Sequence, residues 1–222
     1  MNDELFRWDW FFDHLDVIGQ LTVEHLRLTA IAVVIGFAIS FPLGILAYRH
    51  RRTYAPVTAI TGILYTIPSL ALFMMLGPIT GFVSTTTAEI GLVSYTLLII
   101  IRNTVAGFHG VPEDVKEVAR GMGYTDRQSL WKVEFPLAVP AIVAGVRIAT
   151  VTTIGLVTVT ALVGQGGLGI YILEGLQRLF STQILIGAVV SMLLAVVADR
   201  ALVLVERRLT PWSQSRARVG VR

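Results

Sequence analysis

The residues with chemical potential in this chain are sparse and awkwardly placed for catalysis. Gly164-Gln165-Gly166-Gly167-Leu168-Gly169 fits G-x-G-x-x-G, but a dinucleotide site needs a strand before it and a βαβ unit around it. A long apolar run precedes it here, so nucleotide binding is rejected. Two readings remain open for this segment: an unwound stretch at a gate, with glycines allowing close backbone approach, or a flexible connection. The phosphate-cradling pattern G-x-x-x-x-G-K-[ST] occurs nowhere, so any ATP-driven work must come from another polypeptide. There is no cysteine, and His14, His25, His50 and His109 show no metal-ligand spacing. Neither a Ser-His-Asp set nor a paired-carboxylate arrangement is visible. The expectation is a chain that is not an enzyme and holds no cofactor or metal.

The remaining chemistry lies in ionisable and small polar residues within apolar runs, where charge is expensive and marks a functional hypothesis. Arg102 and Asn103 read as an interfacial pair, with Arg102 snorkelling. Arg147 must face protein, a water-filled vestibule or a dimer seam, and Asp199 and Arg200 are candidate partners. Glu89 reads as an outer boundary. Thr150, Thr152, Thr153, Thr158 and Thr160 line one run with Gly155, as a packing seam or a path lining. Pro68, within Tyr65-Thr66-Ile67-Pro68-Ser69, kinks or loosens its helix. The candidate path or gate residues are therefore Tyr65, Pro68, Ser69, Asn103, Arg147, Thr153, Gly166 and Gly167.

The elements that carry these residues are apolar spans. The 222 residues are 54% hydrophobic and 15% charged, where a soluble domain carries about 25% charge. Mean hydropathy is +0.71. The expectation is an all-α membrane protein with spans at about 26–48, 55–77, 88–107, 137–163 and 182–205, each near the ~20 residues needed to cross ~30 Å of hydrocarbon. Residues 1–25 read as an external interfacial helix, with Trp8, Trp10, Phe11 and Phe12 among acidic residues. Residues 26–206 form the transmembrane domain, and 207–222 a basic tail. No cleaved signal peptide is read.

Charge selects the orientation. With the N-terminus outside, the interior holds Arg49, Arg51, Arg52, Arg102, Lys116, Arg120, Arg127, Lys132, Arg207, Arg208, Arg216, Arg218 and Arg222. The exterior then holds Arg7, Arg27 and Arg178, a strong positive-inside bias. Charges sorted by membrane side, rather than on one soluble face, argue against nucleic acid as a partner of the net +3 chain.

The one long charged stretch between apolar flanks is 110–136. Pro112 suits a first helical position, and Glu113 and Asp114 suit a first turn. Gly121 and Gly123 suit a left-handed cap. Thr125 and Gln128 have capping-box spacing. The second helix is expected to reach Glu134, where Pro136 stops it. Such a loop can dock a soluble partner.

Its residues carry a specific resemblance. Glu117-Val118-Ala119, Gly123 and Val133-x-Phe135-Pro136 resemble the E-A-A…G…I-x-L-P loop of ATP-binding-cassette (ABC) importer permeases. Glu, the second Ala, Gly and Pro are in register, and Val118, Val133 and Phe135 depart by apolar-for-apolar change. Leu21-Thr22, Glu24-His25-Leu26, Thr66-Ile67-Pro68-Ser69, Ala119-Arg120-Gly121-Met122-Gly123 and Gly166-Gly167-Leu168-Gly169 are similar to the osmoprotectant branch, which handles glycine betaine, choline, carnitine or proline.

The resemblance implies a type I importer fold and a dimer of identical or different permeases. ATPase subunits would dock below, with ATP–Mg held there, and an external substrate-binding protein would be a separate protein or lipoprotein. The bacterial inner membrane would supply lipid contacts. It makes 110–136 the coupling loop, with Glu117 anchoring, Ala119 and Gly123 close-packing, Arg120 and Gly121 alongside, and Pro136 fixing the turn. A methionine or other amino-acid ABC permease and an ion-gradient-driven transporter are the alternatives. The latter commonly shows inverted repeats, and none is evident. No aromatic cage for a quaternary ammonium is visible in the spans, so selectivity is expected mainly in the external binding protein.

Overall fold

The computed structural model describes residues 5–211. Asp3 and Glu4 of the N-terminal segment, and Arg216, Arg218 and Arg222 of the basic tail, lie outside them. The described residues are helical, without strands. The helices are α1 (Trp8–Asp13), α2 (Leu15–Arg49), α3 (Arg51–Thr66), α4 (Ser69–Thr80), α5 (Thr85–His109), α6 (Glu113–Gly121), α7 (Asp126–Ser129), α8 (Phe135–Val159), α9 (Gly169–Arg178) and α10 (Ser181–Leu209).

Among the described residues, four helical stretches are long and apolar enough to cross a membrane, or five if the bent α3–α4 pair counts as one. The span expected at 26–48 lies inside the 35-residue α2, so helix begins well within the supposed interfacial segment. The span expected at 55–77 is not straight: α3 and α4 meet at 97°. The cause is local. Ile67 precedes a proline and takes extended angles (φ −64°, ψ 127°), because the proline ring disfavours α geometry at the residue before it. The carbonyl of Ile67, freed at this break, is taken by the Tyr95 hydroxyl of α5.

The core is built where small residues let helices approach. A side chain added at Gly44 would meet Thr104, one at Gly107 would meet Ala138, and one at Gly145 would meet Asn103. With Gly36 against Thr96 as well, α2 and α5 run parallel in direct contact, while α8 packs antiparallel to α5. One buried cluster, including Leu28, Phe73, Leu92 and Val157, fills the end near the α2 N-terminus. Another, Phe108, Leu130, Ala138 and Ile142, fills the end carrying α6 and α7. α10 is the outermost span, with 11% of its apolar window buried inside the chain. Side chains so exposed on a helix of this length suit lipid or another membrane subunit as solvent.

Candidate functional site

Residues 110–136 form a compact platform at one end of the helix bundle. Pro112 sits at the N-cap of α6 rather than inside its first turn, and Glu113 and Asp114 occupy that turn. At the other end Gly123 takes φ +80°. The Tyr124 N–H bonds the Ala119 carbonyl at 3.1 Å and the Gly123 N–H bonds the Arg120 carbonyl at 2.9 Å. This paired pattern is a Schellman cap, which needs a residue at ease in left-handed angles. Gly123 has open space around it, so within this chain it serves the turn. α7 opens with the full capping box of Thr125 and Gln128.

Pro136 does not stop the second helix. Residues Leu130–Glu134 form a π turn, and helix continues through Pro136 into α8. The Phe135 N–H reaches back five residues to the Leu130 carbonyl. This wider turn relieves the clash and missing bond that proline brings to an α-helix interior. The α7 half of the platform and the span are thus one continuous rod, Asp126–Val163.

The platform is fixed to the bundle by a buried polar network. The Glu134 carboxylate accepts from the Tyr48 hydroxyl of α2 at 2.6 Å and from Ser129 Oγ at 3.0 Å. Lys116, also buried, sits over the Tyr48 ring and pairs with Glu113 at 3.3 Å. Burial disfavours the Lys116 ammonium, but contacts with Tyr48 and Glu113 outweigh it and raise its pKa above an ordinary lysine. Tyr48 stacks on Phe108 of α5 with ring centroids 5.0 Å apart. Trp131 and Phe135 pack edge-on to each other, and both contact Phe41. Ala119 is buried against this base.

The outer face of α6 is left open. Glu117 is exposed and has no bonding partner among the described residues, while Val118 and Met122 are 63% and 69% exposed. Arg120 is held by Glu113 at 3.3 Å, and Gly121 has open space above it. A rigid element presenting exposed carboxylates, Asp114 and Glu117, beside bare apolar side chains is suited to a macromolecular contact.

The residues expected to line a path are not brought together. Tyr65 packs edge-on to Tyr95 beside the break at Pro68 and Ser69. The Asn103 amide bonds back to Ile99 and its stem packs on Gly145. Thr153 is buried, its hydroxyl without a partner. Arg147 joins α8 to α10 through Asp199 at 2.9 Å and Glu206 at 3.1 Å. Glu206, near the end of α10, carries no sequence signal for this pairing.

Gly166 and Gly167 have φ of +146° and +47° and belong to a tightly folded turn at the end of the bundle opposite the platform. A side chain at Gly167 would strike the Leu21 carbonyl and the His25 backbone of α2. Thr85 Oγ1 donates to the Gln165 side chain at 3.0 Å. His25 is fully buried, its Nε2–H donating to the Ile154 carbonyl at 2.9 Å. Glu89 sits near the start of α5, and both of its carboxyl oxygens are buried without a partner.

Residues 23–211 match the family described as the binding-protein-dependent transport system inner membrane component, and the chain belongs to that family. It is 38% identical to the choline transport system permease protein OpuBB of Bacillus subtilis, covering 88% of this chain and 89% of that one. It is 36% identical to the osmoprotectant import permease protein OsmW of Salmonella typhimurium, covering 91% and 96%. Among solved structures it resembles the inward-facing MetNI methionine ABC transporter, with TM-score 0.78, 25% identity, and coverage of 89% of this chain and 98% of that one. The type I importer permease fold expected from the sequence is the fold observed.

Proposed function

We propose that the chain is the membrane-embedded permease of an ATP-driven importer for osmoprotectants of the glycine betaine, choline and carnitine kind. The observation that carries this reading is the doubly capped platform at 113–134, locked to α2 and α5 at its base and bare at Glu117, Val118 and Met122 on its outer face. A separate ATPase with ATP–Mg sits beneath it in this reading. Closure of the ATPase dimer moves the platform, and because the Asp126–Val163 rod is continuous, the displacement reaches the membrane interior without a hinge at Pro136. The spans then alternate between inward- and outward-facing arrangements.

The substrate class rests on the relatives named for choline and osmoprotectant transport, at 36–38% identity over most of the chain. The bias of Lys and Arg supports an external N-terminus and a cytoplasmic platform. A second permease, identical or not, completes the pore, and a separate external binding protein delivers substrate. The test is uptake of labelled choline in cells carrying the whole system. The double variant Glu117→Lys with Gly123→Asp abolishes uptake while membrane insertion persists; normal uptake by that variant overturns the reading. Competition by methionine rather than choline would instead favour the amino-acid alternative.

A further inference from the structure

The last span, α10, is held unevenly along its length. Its outer half is fixed. A side chain at Gly187 would strike Ile172 and the Leu168 carbonyl, and one at Gly175 would strike Ile184, so α9 and α10 meet at backbone distance. Every buried residue of α10 lies from Thr182 to Leu194. The inner half, 195–209, packs loosely. An apolar groove of about 610 Å³ separates its Leu202 and Val205 from Val33 and Phe37 of α2 and from Pro136 and Val143 of α8. A second groove between α8 and α10, about 680 Å³, is lined by Arg147, Thr152, Asp199 and Arg200. Across this loose stretch one guanidinium spans two turns of α10. Arg147 Nε donates to Asp199 Oδ1 at 3.0 Å, with Nη2 2.9 Å from the same oxygen, and Nη1 donates to Glu206 Oε2 at 3.1 Å. Asp199 and Glu206 stand two helical turns apart and so share a face. Arg147 lies about 18 Å along α8 from Phe135, at membrane depth, where a charge is costly unless it is paired.

We propose that Arg147, Asp199 and Glu206 form a transmission clamp, which ties the inner half of α10 to the rod that begins in the platform. A displacement of α7 then swings the inner end of α10 together with α8. The proposal rests on the ATP-driven permease reading above and names the residues through which the stroke reaches the last span. Arg147 sits on the unbroken stretch Asp126–Val163, so it travels with the platform. The outer half of α10, pinned on α9, supplies the pivot. The apolar groove supplies room, because packed side chains would resist such a swing. Apolar contact alone would let the two helices slip, since lipid can replace either surface at little cost. Charged hydrogen bonds to two carboxylates a fixed distance apart set both the spacing and the rotation of α10 against α8. All three are positioning residues, acting through the helices that carry them.

The chain has no cysteine, so Leu137→Cys on α8 and Leu204→Cys on α10, at positions 38% and 59% exposed, each give a single thiol for a spin label. The labels are read in the permease–ATPase complex in lipid vesicles. Adding ATP–Mg should change the mobility of both. Arg147→Met should keep the Leu137 response and cut the Leu204 response about tenfold, the effect of losing a charged hydrogen-bonded contact. Arg147→Lys, whose single ammonium meets one carboxylate at a time, should restore part of it. Arg147→Met with Asp199→Leu and Glu206→Leu should recover thermal stability without recovering the Leu204 response, which separates a clamp from a static brace. Arg200→Met, removing a neighbouring charge, should leave both responses at wild type. With the binding protein present, labelled choline taken up per ATP hydrolysed should fall in step with the Leu204 response. A full Leu204 response in Arg147→Met, or its return in the triple apolar variant, overturns the clamp and leaves the permease reading standing. No response of either label in the wild-type complex overturns that reading, and the clamp with it.

Discussion

Removing the Tyr48 hydroxyl is the sharpest probe of how the platform is held. In Tyr48→Phe the ring remains to stack on Phe108, so packing is conserved and only the 2.6 Å bond to Glu134 is lost. Glu134 is 7% exposed, and Ser129 becomes its sole remaining partner among the described side chains. A hydrogen bond to a charged group contributes about 1.5–3 kcal/mol. Local opening of 113–134 from the bundle should therefore become about 10- to 100-fold more frequent. Amide hydrogen exchange and limited proteolysis of the purified chain in detergent read this directly. Tyr54→Phe is the control, since that hydroxyl has no partner among the described residues. Glu134→Leu alone should be costly, leaving Tyr48 and Ser129 unpaired. Added to Tyr48→Phe, it should cost less than the sum of the two separate effects. Unchanged exchange in Tyr48→Phe, or strict additivity in the pair, would refute the network.

Other outcomes follow from the same geometry. Gly123→Asn should be tolerated and Gly123→Val should destabilise the α6 cap by about 1–2 kcal/mol, because only the latter resists left-handed angles; proteolysis within 113–125 checks this. Gly167→Ala should sharply lower the yield of folded chain, since its methyl meets backbone of α2, whereas Gly155→Ala, in open space on α8, should be neutral or stabilise by up to about 1 kcal/mol; thermal melts compare them. Arg147→Met should leave Asp199 and Glu206 without their shared cation and cost about 1–2 kcal/mol at this partly exposed position. Adding Asp199→Leu should recover part of that loss in the same melts.

What the sequence made legible was local. Thr125 and Gln128 announce a capping box within four residues, and Gly123 announces its cap, because each signal and its partner lie in one turn. The spans declare themselves by apolar length. What escaped required contacts between distant segments. Glu134 occupies a variable position of the loop pattern, and its partner Tyr48 is 86 residues away. The π turn that carries helix past Pro136 leaves no composition signal. Pro68 announces a perturbation, but neither the 97° angle nor the Tyr95 hydroxyl on α5 that takes the freed Ile67 carbonyl is a local signal. The N-terminal tryptophans read as a membrane-surface anchor because tryptophan favours headgroups. The packing of Trp10 on Tyr171 and Phe180 depends on the fold returning α9 to that end.

In the proposed function the outer face of α6 receives a nucleotide-hydrolysing subunit on the cytoplasmic side. The chain has no cysteine, so Met122→Cys gives a single thiol on that face without a background to remove. In cells expressing the whole system, this thiol should resist a membrane-impermeant maleimide applied from outside and should cross-link to the ATPase subunit in inside-out vesicles. Labelling from outside, or failure to cross-link while ATP-driven uptake continues, would contradict the account.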